Sequence, residues 1–397
     1  MNQFDATLNE RLAAIRDQGL YRELRRVDSP QAPRIEINGQ PLLNFSSNDY
    51  LGLANEPSLR EAAIKAVEKY GAGAGASRLI CGSLAPHHEL EEALAAFKGA
   101  EAALSFSSGY AAAVGTIGAL VGKDDVVVID KLVHASIVDG ARLSGAKLRV
   151  FAHNDLNDLE KILKWAEKVQ SPKSNVQSRS RVLIVTESVF SMDGDCAPLR
   201  EIVVLKNKYG AWLMVDEAHA TGLYGKHRRG LAEEMGVSGE IEVQMGTLGK
   251  ALGTSGGYIT GSKALIDYLV NRARSFIFST APVPAAAAAA TAGIRFVQSE
   301  AGKKRNDLLW KRVGLMDSFL GSPRHLIPSA IIPIIVGDEA KAVEVAAALR
   351  KQNIYVPAIR YPTVARGEAR LRVTITAAHA PEDVTKLCDT LSQLLSW

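Results

Sequence analysis

Two segments of this chain carry residue types that can do chemistry together: Trp212 to His219, WLMVDEAH, and Met245 to Gly253, MGTLGKALG. Asp216 stands where an apolar run gives out, and His219 follows three residues later. Lys250 lies among small residues after a second predicted strand, Ile241 to Gly246. A lysine so placed can form an imine with an aldehyde if its surroundings favour the neutral amine. A buried aspartate can keep a pyridine nitrogen protonated and make the ring an electron sink. Taken alone, the lysine reads as a solvated side chain and the aspartate as a cap or turn. The pair, each at a strand end, is the stronger signal.

Lysine and aspartate at strand ends are what pyridoxal phosphate requires. Its phosphate needs backbone N–H donors and small side chains. Ser107-Ser108-Gly109-Tyr110 precedes an Ala-rich stretch and either sets a helix N-terminus against an anion or is an ordinary capped helix start. Thr247 adds a hydroxyl three residues before Lys250. Other glycine-rich readings fail: Gly71-x-Gly73-x-Gly75 lacks the dinucleotide spacing, and Gly249-Lys250 lacks the Ser or Thr of a P-loop. His134, in KLVHAS after the predicted strand DVVVID, is either structural or an imidazole stacked on the ring and able to move protons. No H-E-x-x-H occurs, so no metal is expected.

These residues need a scaffold that brings strand ends together. Asp125 to Asp130, Arg181 to Thr186 and Trp212 to Val215 are short apolar runs, suited to strands buried on both faces of a parallel sheet. Helical blocks such as Leu156 to Val169 and Leu199 to Tyr209 lie between them, which predicts a doubly wound α/β domain. Beyond the Ala-rich run Val283 to Val297 the pattern changes. Ile331 to Val336, a helix near Glu339 to Gln352, and RLRVTIT at Arg370 to Thr376 predict a smaller α+β unit, with Leu371 and Val373 on one strand face and Arg370 and Arg372 on the other. The expected division is an N-terminal arm over 1–45, a large cofactor-binding domain over 46–285 and a small domain over 286–397. Leu8, Leu12, Ile15 and Leu20 predict an amphipathic helix in the arm.

Composition excludes several classes. The 397 residues are 47% hydrophobic and 23% charged, with a formal net charge of +4, ordinary for a globular enzyme. Short basic clusters without interleaved aromatics argue against nucleic acid. Cys81, Cys196 and Cys388 are scattered and indicate neither disulfides nor zinc. The N-terminus is not a signal peptide, and no run is long enough to span a bilayer, so a cytoplasmic location is expected.

With these residues assembled, the chain resembles the α-oxoamine synthases, a branch of the fold-type I pyridoxal-phosphate enzymes. The likeness runs through NFSSNDYLGL (Asn44 to Leu53), GAGASRLICG (Gly73 to Gly82), SGYAA (Ser108 to Ala112), ESVFSMDGD (Glu187 to Asp195), VDEAH, GTLGKALG, PTV and ARLRVTITAAH. The resemblance implies that Lys250 binds the cofactor aldehyde and Asp216 partners the pyridine nitrogen. Ser191 and His219 would bond the phenolic oxygen, and His134 would stack over the ring. Gly109, Tyr110 and Thr247 would help hold the cofactor, mostly at the phosphate. Ser279 and Thr280 would reach the phosphate of the neighbouring subunit in a homodimer with shared sites. Asn48 and Arg372 would bind the amino-acid carboxylate, and Arg22 and Thr363 would touch substrate. The implied reaction joins L-alanine to a pimeloyl thioester of CoA or acyl-carrier protein, as in biotin synthesis; the alternative joins glycine to acetyl-CoA. Ala365-Arg366-Gly367 follows Val364 where the family often has Pro-x-Gly, so a different loop is expected there.

Overall fold

A computed structural model describes residues 2–169, 180–321 and 327–395. The chain divides into two compact units: Met1–Ser46 with Pro333–Val373 and Lys386–Trp397, and Ser47–Ile332 with Thr374–Thr385. The first unit opens with a helix, Gln3–Asp17, capped by Asn2 through the amide of Asp5. Its apolar residues stay outside any core, with Leu8, Leu12 and Ile15 each more than a third exposed, and Leu20 falls beyond the helix end. Strands β1 (Arg34–Ile37) and β2 (Gln40–Asn44) follow as an antiparallel pair.

The second unit is built on a seven-stranded sheet. In chain order its strands are β3 (Ala102–Phe106), β4 (Val126–Asp130), β5 (Lys147–Phe151), β6 (Val182–Glu187), β7 (Trp212–Asp216), β8 (Val243–Thr247) and β9 (Gly257–Gly261). The spatial order is β3-β9-β8-β7-β6-β4-β5. The pairs β4–β5, β4–β6, β6–β7 and β7–β8 are parallel, whereas β9 runs antiparallel to both β8 and β3. Six strands therefore share one direction and β9 opposes them, the mostly parallel α/β sheet the apolar runs predict. Every residue of β4 and β6 is buried, as a sheet covered on both faces requires. The edge strand β5 buries only Phe151 fully. The strand expected at Ile241 to Gly246 is β8, which reaches Thr247 because that residue pairs with Gly257 of β9.

The first unit resumes at Pro333, within β10 (Ile331–Gly337), and continues through the helix Glu339–Lys351, β11 (Ile354–Tyr355), β12 (Ala358–Ile359) and most of β13 (Ala369–Thr374). β11 joins β2 in parallel, and β10, β13 and β12 form a separate three-stranded sheet in that order. β13 does not alternate between buried and exposed faces, because all six residues are buried, Arg370 at 4% and Arg372 at 7% exposure. The arginine face is thus covered rather than open to solvent. Among the described residues no helix is long and apolar enough to cross a membrane.

Candidate active site

Parallel strands deliver their carboxyl ends to one edge of a sheet, where ligands of α/β proteins gather. The residues singled out by sequence leave the second unit's sheet at that edge. β4 ends at Asp130, four residues before His134; β6 ends at Glu187, before the half-buried Ser191; β7 ends at Asp216, before His219; β8 ends at Thr247, before Lys250. Glu187 and Asp216 are register partners across β6 and β7, and Asp216 pairs with Met245 of β8. β3 feeds the helix Gly109–Leu120, which Ser108 caps by accepting from Ala111 N at 3.1 Å. A Cβ at Gly109 would lie 3.8 Å from Thr247 Cβ, so Thr247 stands beside that helix start. A side chain at Gly257 would come within 2.5 Å of the Ser108 carbonyl oxygen. Only glycine lets β9 pass so close to this turn.

Lys250 Nζ lies 2.7 Å from His219 Nε2, and His219 Nδ1 lies 2.5 Å from the Tyr50 hydroxyl. Tyr50 is also within 3.3 Å of Asn48 Oδ1. A continuous polar chain thus links the lysine to the NFSSNDYLGL segment. Tyr50 is 1% exposed, and sequence reading missed its role because it lies 169 residues from His219. The imidazole of His134 accepts from Ser136 N at 3.2 Å through Nδ1. Burial, more than its charged neighbours, lowers its pKa. The ring is therefore neutral near pH 7, with its proton on Nε2.

Asp216 and Glu187 are among the carboxyl groups buried at this edge. Asp216 is 5% exposed and accepts from Ala218 N at 2.9 Å; its pKa is raised, first by burial, against the lowering effect of Lys250. Glu187, 2% exposed, accepts from the His134 backbone at 2.5 Å. Burial, then the Asp216 charge, pushes its pKa up from 4.5 to about 8. The adjacent Glu217 is instead matched by a buried ion pair with Lys98 and accepts from Ala232 N at 2.9 Å. Sequence reading assigned no role to Glu187, since only the register of β6 against β7 sets it beside Asp216.

The raised Glu187 pKa has a consequence for the cofactor-free protein. A carboxyl whose folded pKa exceeds its unfolded one holds its proton more tightly when folded, so its stability contribution is present at low pH. It is lost progressively as pH rises from about 4.5 towards 8, on the order of a few kcal/mol. Glu187→Gln keeps an acceptor for the His134 amide and removes the titration. Thermal unfolding of cofactor-free protein between pH 5 and 8 should show the parent losing more stability than the variant. Parallel curves would mean that Glu187 does not titrate in this window.

The donor set fits pyridoxal phosphate. Burial raises the pKa of both Asp216 and Glu187 despite the nearby Lys250, and a pyridinium N–H would supply a further positive partner. A lysine amine lies beside them, and the helix start at Gly109 and Tyr110 with the Thr247 hydroxyl offers an anion seat. The Tyr110 side chain turns elsewhere, is 48% exposed and donates to Asp139 Oδ2 at 2.8 Å. Ser279 and Thr280 follow the exposed Phe278, and Thr280 bridges Ser77. In the first unit, Arg22 Nη2 reaches Thr363 Oγ1 at 3.4 Å, while Arg372 lies within buried β13. Among the described residues no group of three or more His, Cys, Asp or Glu side chains is arranged to hold a metal ion.

A sheet of this topology, with a lysine and a buried aspartate at its carboxyl edge, defines a fold-type I pyridoxal-phosphate enzyme, and the chain belongs to the aminotransferase class I and II family, whose model matches residues 40–391. Within that family it is similar to the 8-amino-7-oxononanoate synthase of Geotalea daltonii, 46% identical over 98% of this chain and 97% of that protein. The Geobacter sulfurreducens enzyme of the same name is 46% identical over 96% of each chain. Among solved structures, serine palmitoyltransferase from S. paucimobilis, with bound PLP and myriocin, superposes with a TM-score of 0.89 at 30% identity, covering 99% of this chain and 98% of that one. The resemblance to the α-oxoamine synthases therefore holds over nearly the whole chain, and pyridoxal phosphate is its cofactor.

Proposed function

We propose that the protein condenses L-alanine with a pimeloyl thioester to give 8-amino-7-oxononanoate, carbon dioxide and free thiol, in biotin synthesis in the cytoplasm. The observation that carries this reading is the lysine–histidine–tyrosine chain beside two buried acids, in a chain 46% identical to synthases of that name. Bound there, the cofactor supplies an aldehyde for the substrate amine and an electron sink for charge left at Cα. Lys250 would hold the cofactor by its aldehyde, and its amine is the base that would take the Cα proton. Asp216 would partner the pyridine nitrogen and favour its protonated form. His219, itself held by Tyr50, and Ser191 would hydrogen-bond the phenolic oxygen. His134, whose Nδ1 accepts from Ser136 N, would stack on the ring and could move a proton there.

Thr247 and the Gly109–Tyr110 amides seat the phosphate, joined by Ser279 and Thr280 of a second copy in a homodimer. Leu79, Ile80 and Phe278, more than half exposed and within three residues of the Ser77–Thr280 bridge, support a partner there. Asn48 and Arg372 take the amino-acid carboxylate, and Arg22 with Thr363 takes the acyl donor. A guanidinium grips a carboxylate at two points, a geometry that lysine lacks.

Steady-state assays over alanine, glycine and serine, each against pimeloyl and acetyl thioesters, test the reaction. Alanine with the pimeloyl donor should be fastest; glycine with acetyl-CoA outpacing it would reverse the reading. Arg372→Ala should raise the alanine concentration needed for half-saturation about 10- to 150-fold, equivalent to a charged hydrogen bond of about 1.5–3 kcal/mol. Arg372→Lys should recover only part of the loss. Alanine binding unchanged in Arg372→Ala would remove Arg372 from the substrate site.

A further inference from the structure

The half-buried imidazole of His153, in the turn between β5 and the helix Leu156–Val169, is held by two carboxylates that the proposed reaction does not use. Its Nδ1 lies 3.0 Å from Asp130 Oδ1, and its Nε2 lies 2.7 Å from Asp195 Oδ2. An imidazole meets two acceptor-only groups in this way when both its nitrogens carry protons. Burial acts to lower its pKa, but the bonds to Asp130 and Asp195, with their charges, outweigh it and raise the value to about 10. The ring is therefore a fixed cation near pH 7. Among the described residues these two are its ion pairs, and the Phe190 ring meets it edge-on with centroids 4.4 Å apart. Asn154 completes the clasp. Its backbone N–H donates to Asp130 Oδ2 at 2.9 Å, and its side-chain amide donates to Asp195 Oδ2 at 2.9 Å and to the Cys196 carbonyl at 3.2 Å.

Each carboxylate belongs to a different segment of the candidate site. Asp130 ends β4 and accepts from Leu132 N at 2.8 Å, which fixes the turn leading to His134. Asp195 stands in the hairpin over 188–197, closed by the Val189–Cys196 bridge and by Ala197 N donating to the Ser188 carbonyl at 3.0 Å. Ser191 lies on that hairpin. Asp195 Oδ1 is buried without a hydrogen-bond partner among the described residues, so the bonds from His153 and Asn154 to its other oxygen carry the attachment. We propose that His153 is a positioning residue for the cofactor, its imidazolium pinning the Ser191 hairpin to the turn that carries His134. The assignment deepens the reading above and rests on it for the contacts of Ser191 and His134 with the ring. Removing one partner of a buried ion pair costs more than the pair contributes, because the charge left behind is uncompensated. Here two carboxylates would be left to repel. The displacement falls on the hairpin and the turn, since β4 and β6 remain tied by their own ladder.

Equilibrium dialysis of pyridoxal phosphate against the cofactor-free protein, and the pH midpoint of the bound cofactor's absorbance change, provide the test. His153→Ala should weaken cofactor binding about 10-fold or more, the scale of one charge-assisted hydrogen bond. It should also raise the midpoint, because a phenolic oxygen with a weakened donor holds the neighbouring proton more tightly. Ser191→Ala should raise the midpoint in the same way, and His153→Ala added to it should raise it little further, as coupled positions require. His153→Arg keeps the charge and can reach two acceptors, so it should recover part of both effects. Asp195→Asn is isosteric and should act in the same direction even where His153→Ala fails to fold. In the cofactor-free parent, ring NMR should show His153 doubly protonated at about pH 8, where an imidazole with the ordinary pKa of about 6.5 is neutral. A neutral ring at that pH overturns the proposal, as do parent-like cofactor affinity and midpoint in His153→Ala and Asp195→Asn. A His153→Ala shift that adds in full to one seen for Ser191→Ala also overturns it, since the clasp would then serve stability alone. If Ser191→Ala leaves the midpoint unchanged while His153→Ala still weakens the cofactor, the Ser191 contact falls and the positioning role stands through the His134 turn. Neither alanine nor the acyl donor enters these readouts, so failure of the reaction assignment would be seen separately, in the steady-state assays.

Discussion

Lys250→Ala should yield a folded protein that retains no cofactor after borohydride reduction and turns over at least about 10⁴-fold more slowly, the upper range for removing a general base. The size of the effect follows from two roles meeting at one nitrogen. The amine that anchors the cofactor aldehyde also takes the Cα proton in the proposed reaction, so alanine removes both at once. His219 Nε2, 2.7 Å from Lys250 Nζ, keeps its other contact with Tyr50 and does not take over the attachment, because imidazole forms no stable imine. The position is half-buried near the end of the β8 turn, and truncation there removes no core contact of the kind that unfolds a protein. Circular dichroism and the melting temperature of the cofactor-free variant should therefore match the parent. In the parent, peptide mapping after reduction should find the pyridoxyl group on the Met245 to Gly253 segment. Label on any other lysine would refute the assignment.

The elements most legible in the sequence are those whose burial is uniform. DVVVID, RVLIVT and WLMV become β4, β6 and β7 because strands covered on both faces must be apolar at every position. Asp216 and Lys250 stand out for the same reason, as polar residues placed where such runs stop. The antiparallel β9 was not legible. GYITG carries no apolar run to mark it, yet Gly257 at its start is what permits the close passage at Ser108. The strand at β13 was legible, but the burial of its arginine face was not. RLRVTIT alternates cleanly, but Arg370 satisfies its guanidinium on the carbonyl and carboxylate of Glu368, two residues back, and is buried. An arginine that finds acceptors within its own segment can be covered in the fold without a partner that spacing reveals. Tyr50 and Glu187 sat inside motifs that were recognised but carried no individual signal. Their partners are set by long-range convergence, which a one-dimensional spacing does not encode.

Asp216→Asn should separate the cofactor's contribution from the protein's, because its effects have opposite signs in the two states. Asparagine is isosteric and its side-chain oxygen can still accept from Ala218 N, a 2.9 Å bond in the parent, so the turn after β7 is preserved. What disappears is a carboxylate whose pKa burial has raised. In the folded, cofactor-free protein that carboxylate is held in an unfavourable place beside Glu187, its register partner. By linkage, an acid with a raised folded pKa withdraws stability as pH rises above its unfolded value. The cofactor-free variant should consequently be at least as stable as the parent at pH 8, and its advantage should vanish near pH 4. The loaded variant should behave in the reverse way. Without an anion opposite the pyridine nitrogen, a charge-assisted bond of about 1.5–3 kcal/mol is lost, and the proton that makes the ring an electron sink is no longer held. Equilibrium dialysis should show cofactor affinity reduced about 10- to 150-fold, in proportion to that energy. Turnover at saturating cofactor should fall by a further factor of about 10² or more, the lower range for a positioned proton. A residue that merely caps the strand would give a different pattern, with stability lower in both states and turnover near normal once the site is filled. Finding that pattern would assign Asp216 to structure and leave Lys250 without its electronic partner.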